Sequence, residues 1–262
     1  MSASPTLTYD PPYRFQRLVV VGLGGTGAQV ARCVARLLYH LRQKGQHVPD
    51  ILFVDPDVVE RRNLGRQMFT EADLGRSKAE VLAQRFNFAL GLSIAWCSER
   101  VKREKHLAAG NLVIGCVDNH QARAEIARGQ GFVWLDTGNG YDFGQVVLGD
   151  SHNREDILRG LRQAERGRCA HLPYASVLFP ALLESEPPTP VSEPGPSCAE
   201  LVLRDEQHLF INDFIGNIAA QYVYQLLNRE PITTFATFLS LTPAPSVRSR
   251  PICLDELVPY LS

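Results

Sequence analysis

Mainly apolar segments alternate with amphipathic ones through the first half of the chain. The apolar runs predict buried strands, and they lie at 17–22, 51–54, 111–117 and 132–136. Between them, apolar residues recur at helical spacing, which predicts helices over 25–43, 76–89 and 120–128. Strand, helix and strand in repetition is typical of a mostly parallel sheet with helices on both faces. The first half therefore predicts an α/β, Rossmann-like fold.

The pattern changes after residue 136. Another apolar run, at 144–149, follows a glycine-rich connection that is too short to hold a crossover helix. This strand is therefore predicted to pair antiparallel with its predecessor. A polar helix over 154–165 and a last strand over 233–241 follow. We expect the sheet to be extended by antiparallel strands in the C-terminal half.

A proline-rich segment interrupts the second half. Five prolines between residues 184 and 197 predict a loop or linker. A long helix is predicted after it, over about 205–228, because apolar pairs recur at one-turn spacing from Phe210 and Ile211 onward. Such a stripe is typical of a helix that packs on the sheet.

Composition excludes several classes of function. A formal net charge of −1 over 262 residues offers no basic field for nucleic acid. No stretch reaches the ~18 consecutive apolar residues of a membrane span, and residues 1–12 lack the features of a signal peptide. The six cysteines form no CxxC pair, so neither a disulfide framework nor a zinc site is expected. We expect a cytoplasmic protein that binds neither nucleic acid nor membrane.

A glycine-rich turn, containing Gly22, Gly24, Gly25 and Gly27, follows the first strand directly. Glycines let the backbone approach a phosphate, and the start of the next helix supplies oriented N–H groups. Asp55, at the end of the second strand, is placed to accept both hydroxyls of a ribose. Many dehydrogenases share these two features, so a dinucleotide-binding protein stays open at this point.

Polar and cationic residues follow Asp55 in a loop that leaves the carboxyl ends of the strands, where ligands bind in such sheets. Arg66 can bind a phosphate through two hydrogen bonds, and Lys78 adds a point charge. A dinucleotide has only a pyrophosphate, which the glycine-rich turn already serves. The additional Asn63 and Gln67 therefore favour a triphosphate. For any one of these residues the alternative is a solvated, charged loop.

Asp118 follows the third strand. A carboxylate there faces the predicted triphosphate and suits Mg²⁺, a cation that prefers oxygen ligands and balances the charge of a leaving pyrophosphate. The alternative is that Asp118 or Asn119 caps the helix over 120–128.

Cys198 lies where the proline-rich segment meets the long helix. The start of a helix lowers the pKa of a nearby thiol, which makes Cys198 a candidate reactive residue. The alternative is an ordinary thiol.

In combination, these residues resemble the ThiF/MoeB family, the bacterial relatives of ubiquitin-activating enzymes. The resemblance is strong over 17–125, and the second half is similar to the PRTRC-system ThiF branch. The motifs of the first half are Gly22-x-Gly24-Gly25-x-Gly27, Asp55-x-Asp57, Asn63-Leu64-x-Arg66-Gln67, Asp73-x-Gly75-x-x-Lys78 and Asp118-Asn119-x-x-x-Arg123. Those of the second half are Leu135-Asp136-Thr137-Gly138-Asn139, Gly144-Gln145-Val146-Val147-Leu148-Gly149, Pro196-Ser197-Cys198 and Gln207-His208-Leu209-Phe210-Ile211-Asn212.

The resemblance implies binding of ATP with Mg²⁺ and adenylation of the C-terminal glycine carboxylate of a small ubiquitin-like, β-grasp protein. It implies one adenylation domain over 1–262, with a nucleotide-binding half (17–135) and a second half (136–262). A homodimer is implied as well, because the family pairs its sheets through apolar helical faces. The implied site comprises the four glycines, Asp55 for the ribose, Asn63, Arg66, Gln67 and Lys78 for the phosphates, Asp118 for the magnesium, and Asp57 and Asn119 nearby.

The chain also departs from the family. The paired CxxC zinc ligands are absent, so no structural zinc is expected. The N-terminal arm, whose arginine reaches the partner subunit's ATP in the family, is shortened, and Arg14 and Arg17 are poor substitutes. These departures keep open an alternative function, a nucleotide-binding interaction module without turnover. A nicotinamide- or flavin-dependent oxidoreductase is a weaker alternative, since it does not need the phosphate loop at 63–78.

Overall fold

The computed structural model describes residues 4–11, 13–184 and 208–261. In chain order, its strands are β1 (Thr8–Tyr9), β2 (Arg17–Val21), β3 (Asp50–Val54), β4 (Ala95–Cys97), β5 (Asn111–Gly115), β6 (Val133–Asn139), β7 (Phe143–Gly149), β8 (Arg168–Cys169), β9 (Thr234–Ser240) and β10 (Ser246–Pro251). Its α-helices are α1 (Gly25–Gln43), α2 (Lys78–Leu90), α3 (Arg103–His106), α4 (His120–Ala127), α5 (Arg154–Arg162), α6 (Ala175–Leu178), α7 (Ile211–Asn228) and α8 (Leu254–Leu261).

Eight strands form one sheet in the order β10-β9-β7-β6-β5-β2-β3-β4. Neighbours from β6 to β4 pair parallel, whereas the β6–β7, β7–β9 and β9–β10 pairs are antiparallel. The register places Leu18 between Ile51 and Leu112. The predicted α/β class, with antiparallel strands in the C-terminal half, is confirmed. β1 and β8 form a separate parallel pair.

Helices cover both faces of the sheet. Successive side chains of a strand point to opposite faces, and all four residues from Leu18 to Val21 are buried. On one face α7 packs against α1, β6 and β7. The two helices approach so closely that a Cβ on Gly216 would lie 2.7 Å from Cβ of Gln29.

Several boundaries differ from the sequence prediction. The long helix begins at Ile211, not near 205, and the predicted start and most of the proline-rich segment lie outside the described residues. The pattern also missed β10 and α8. Five of the six β10 residues are exposed, so this edge strand carries no apolar alternation. Among the described helices, none is long and apolar enough to cross a membrane.

Candidate functional site

A cavity of about 1070 Å³ opens beside the carboxyl ends of β2, β3 and β5. Its wall includes the glycine-rich turn, the loop after β3, the start of α4, and the end of β6. The parallel register brings these segments together, because the three strands end at one edge of the sheet. This edge is where ligands bind in open α/β sheets.

Three glycines of the turn have structural reasons to be glycine. Gly22 has φ +84°, and a Cβ there would lie 2.6 Å from the carbonyl oxygen of Cys116. A Cβ on Gly27 would lie 1.9 Å from the Gly22 carbonyl oxygen, and one on Gly25 would lie 2.6 Å from Nδ2 of Asn212. Gly24 is different, since its nearest neighbour would be Gln67 Nε2 at 3.9 Å. Gly24 therefore presents open backbone to the cavity.

Asp55 fixes this turn to the end of β3. Its carboxylate is buried and accepts hydrogen bonds from the backbone N–H of Leu23 and, at 2.8 Å, of Asp57. Burial raises the pKa of Asp55, although these hydrogen bonds and the charge of Lys78 oppose the shift. Part of the conformation of the glycine-rich turn therefore depends on a residue from the neighbouring strand.

Lys78 is the first residue of α2 and lines the cavity. Its Nζ lies 3.0 Å from Oδ2 of Asp57, and its backbone N–H donates to the Asp57 carbonyl oxygen. The Lys78 side chain is 8% exposed and that of Asp57 is 63% exposed. A nearly buried ammonium is thus held at the cavity wall by a carboxylate that faces solvent.

The loop between β3 and α2 presents Gln67 to the cavity. Asn63 is buried, and its side chain accepts a hydrogen bond of 2.8 Å from the N–H of Glu60. The Asn63 carbonyl oxygen in turn accepts from the N–H of Gln67 at 3.0 Å. Arg66 is half-buried in the same loop and does not line the cavity. Asn63 therefore shapes the loop from within.

Arg85 anchors this loop from outside the cavity, a contact that the sequence analysis missed. It donates to the carbonyl oxygen of Met68 and, at 2.6 Å, to the carboxylate of Asp73. Asp73 also accepts from the N–H and hydroxyl of Thr70. Although burial opposes it, these hydrogen bonds hold the pKa of Asp73 below its usual value.

Asp118 and Asn119 have different roles at the start of α4. The Asn119 side chain caps the helix, accepting a hydrogen bond of 2.8 Å from the N–H of Ala122. Asp118 is exposed and lines the cavity. Capping therefore explains Asn119 but not Asp118.

A buried ion pair attaches α4 to β6. Arg123 Nε lies 3.4 Å from Oδ1 of Asp136, and Arg123 also donates to the Thr137 carbonyl oxygen at 3.2 Å. Asp136 is fully buried, and burial raises its pKa to about 6 although the Arg123 charge opposes the shift. Arg123 belongs to the motif that starts at Asp118, and its contacts hold that segment on the sheet.

A polar cluster that was not predicted as part of the site lies beside the glycine-rich turn, although Asn139 and Asn212 end two motifs of the second half. Oδ1 of Asn212 accepts hydrogen bonds of 2.8 Å from the Thr26 hydroxyl and from Nδ2 of Asn139. All three residues line the cavity, and Asn212 is 4% exposed. One signal was available, because Asn212 is a polar residue among the apolar positions of α7.

The described cysteines are all free, and Cys198 lies outside the described residues. Burial raises the pKa of the Cys116 and Cys169 thiols to about 12. Such thiols are poor nucleophiles near neutral pH, because the thiolate is the reactive form.

Residues 13–254 match the model of the ThiF family. The chain belongs to the ThiF family. A crystal structure of E. coli MccB with ATP has a TM-score of 0.56 and 15% identity, covering 91% of this chain and 64% of that chain. A structure of PaaA has a TM-score of 0.55 and 12% identity, covering 90% of this chain and 64% of that chain.

A further structure of MccB, with AMPCPP and MccA, has a TM-score of 0.56 and 15% identity, covering 91% of this chain and 66% of that chain. This ThiF-family chain thus spans less than two thirds of the length of the MccB–ATP and PaaA chains. No curated protein sequence matches it.

Proposed function

We propose that this ThiF-family chain is a single adenylation domain that uses ATP to activate a carboxylate. The observation that carries the proposal is Gly24, whose backbone faces the cavity without a packing partner that requires glycine. A bound phosphate supplies the missing reason, since its close approach excludes a side chain. Gly24 also precedes α1 directly, where backbone N–H groups and the helix dipole favour an anion.

The residues around Gly24 suit ATP. Lys78 brings a positive charge to the cavity wall, and Gln67 brings an amide within reach of Gly24. Asp55 uses lone pairs for Leu23 and Asp57, and an ionised carboxylate has further lone pairs for a ribose hydroxyl. Asn63 supports the phosphate-binding loop from its buried position.

Asp118 would hold Mg²⁺. An exposed carboxylate at the cavity fits this ion, which is usually bound by one or two carboxylates and by the phosphates of the substrate. When bound, Mg²⁺ neutralises charge on the leaving pyrophosphate. Asp118 would keep the ion on the cavity side of α4, while Arg123 and Asp136 fix that helix to the sheet.

The reaction that we propose needs no side-chain nucleophile. The substrate carboxylate attacks the α-phosphorus of ATP, an acyl-adenylate forms, and pyrophosphate leaves. Catalysis then consists of positioning and charge stabilisation by Lys78 and the glycine-rich turn. Cys198 has no part in this step, and any role for its thiol belongs to a later transfer.

We propose as acceptor the glycine-ended C-terminus of a small ubiquitin-like protein, and we place the reaction in the cytoplasm. The similarity of the second half to the PRTRC-system branch supports this acceptor class. MccB, a protein of similar fold, was crystallised together with AMPCPP and MccA. We also propose a homodimer, since Phe210 and Phe214 of the apolar stripe are 55% and 44% exposed. Sedimentation velocity is the test.

ATP–pyrophosphate exchange tests the proposal. Exchange should require Mg²⁺ and a glycine-ended ubiquitin-like protein, and Lys78→Met should reduce it by about 10²-fold or more. Lys105→Met is the matched control, because Lys105 is an exposed lysine that pairs with Glu99, and neither residue lines the cavity. Tight binding of NAD without binding of ATP would overturn the proposal.

A second candidate is a nucleotide-binding interaction module without turnover. The position of Arg66 favours it, because this predicted phosphate ligand does not line the cavity. Binding of ATP by calorimetry, combined with no exchange for any glycine-ended acceptor, would favour this candidate over the enzyme.

A further inference from the structure

Among the described residues, the side-chain amide of Asn212 is hydrogen-bonded through its oxygen and not through its nitrogen. Its Oδ1 accepts from Thr26 and Asn139, which turns Nδ2 away from both donors. The amide lies against Gly25, where a Cβ would approach Nδ2 to 2.6 Å and Oδ1 to 3.0 Å. Among the residues that the structure describes, none accepts a hydrogen bond from Nδ2.

Asn212 is 4% exposed as a residue, yet Nδ2 is not among the side-chain atoms that are fully enclosed without a hydrogen bond. Polar groups of buried residues are normally hydrogen-bonded, and this donor remains open on the cavity side. Asn212 and Gly25 both line the cavity, so an acceptor can come from a ligand. Gly25 begins α1, whose first N–H groups favour an anionic acceptor.

We propose that Asn212 binds the ligand directly, donating through Nδ2 to the phosphate oxygen nearest the start of α1. The inference rests on the proposed function and adds to it a binding residue from α7, far along the chain from the glycine-rich turn. Thr26 and Asn139 are positioning residues, because they orient the Asn212 amide. The glycine at position 25 makes room for this amide beside the bound phosphate.

The decisive variant is Asn212→Asp. A carboxylate keeps the acceptor for Thr26 and Asn139, but it replaces the donor with an anion that repels a phosphate. We expect the affinity for ATP and for inorganic tripolyphosphate to fall about 10-fold or more, because hydrogen bonds to charged groups are strong. Adenosine, which has no phosphate, should bind as it does to the unmodified protein.

Asn217→Asp is the matched control. Asn217 lies on the same helix, is exposed, and accepts through Oδ1 from the Cys33 thiol, so the substitution adds the same charge away from the cavity. Isothermal titration should give the same ATP affinity for this variant and the unmodified protein. Asn212→Ser, which removes the amide without adding charge, provides a second test if Asn212→Asp does not fold.

The outcomes separate this inference from the proposed function. Unchanged ATP and tripolyphosphate affinity in a folded Asn212 variant overturns the role of Asn212 alone. Equal losses of affinity for ATP and for adenosine also overturn it, because they indicate that Asn212 has only a structural role. If the affinity for nucleotide is unchanged but the ubiquitin-like protein binds more weakly, Asn212 contacts that protein instead of the phosphate, and the proposal is overturned. Failure of the unmodified protein to bind ATP or tripolyphosphate overturns both.

Discussion

The ammonium of Lys78 lies 3.0 Å from Oδ2 of Asp57, and a second hydrogen bond joins the backbones of the two residues. The pair connects the loop after β3 to the first residue of α2 at the cavity wall. Because Asp57 is 63% exposed, we expect the ion pair to contribute under about 1 kcal/mol to stability. Its larger effect should be on the orientation of the Lys78 side chain.

Asp57→Asn should therefore raise the KM for ATP several-fold while the melting temperature stays nearly constant. The matched control is Glu71→Gln, which removes another exposed carboxylate of the same loop, one paired with Arg61 at 3.3 Å. Steady-state exchange rates and thermal unfolding measure both quantities. A large loss of stability in Asp57→Asn, or equal kinetics in the two variants, contradicts the expectation.

Gly24→Ala and Gly25→Ala should differ in their effects, the first on ATP affinity and the second on stability. A methyl group at position 24 meets nothing closer than 3.9 Å, so Gly24→Ala should unfold like the unmodified protein and lose ATP affinity. At position 25 the methyl group would meet Asn212 at 2.6 Å, and such overpacking costs about 1–3 kcal/mol. Urea unfolding and calorimetric titration distinguish the two. Tight ATP binding by Gly24→Ala would remove the main support for a phosphate at the turn.

Asp118→Ala and Asn119→Ala should also differ, the first in activity and the second in stability. Loss of the Asn119 cap removes the acceptor for the Ala122 N–H and should cost about 1 kcal/mol of stability. Asp118→Ala should leave stability almost unchanged and abolish exchange, because the proposed Mg²⁺ ligand is lost. Exchange assays beside melting curves test both variants. Full activity in Asp118→Ala would show that this carboxylate holds no essential metal.

Asp136 should make stability depend on pH. Its pKa is about 6 in the folded protein, against about 3.9 in an unfolded chain. The folded state therefore holds the proton more tightly, and this group's contribution to stability falls as pH rises from about 4 to about 6, by at most about 1.4 kcal/mol per pH unit.

The test compares denaturant unfolding of the unmodified protein and Asp136→Asn from pH 4 to 7. The free energy of unfolding of the unmodified protein, minus that of the variant, should fall with pH across this window and level off above it. A constant difference would mean that Asp136 has the same pKa in the folded and unfolded states. Measuring the difference cancels the titration of the other carboxylates.

The sequence by itself determined the strands of the parallel half, because buried strands between helices must be apolar on both faces, as Leu18 to Val21 are. It also determined the glycine-rich turn and the neighbourhood of Asp55, Gln67, Lys78 and Asp118, since the carboxyl ends of parallel strands meet at one edge. The apolar runs and the motif spacings are both local features of the sequence. They can therefore be recognised without knowledge of the fold.

Only the tertiary structure decided which side chains support the site. Asn212 meets Thr26 because α7 crosses α1, and Arg85 meets Met68 because α2 folds back on the loop before it. The backbone geometry also decided that Asn119, and not Asp118, caps α4. Contacts of this kind join residues distant in the chain or depend on one dihedral angle, and neither apolar periodicity nor motif spacing encodes them.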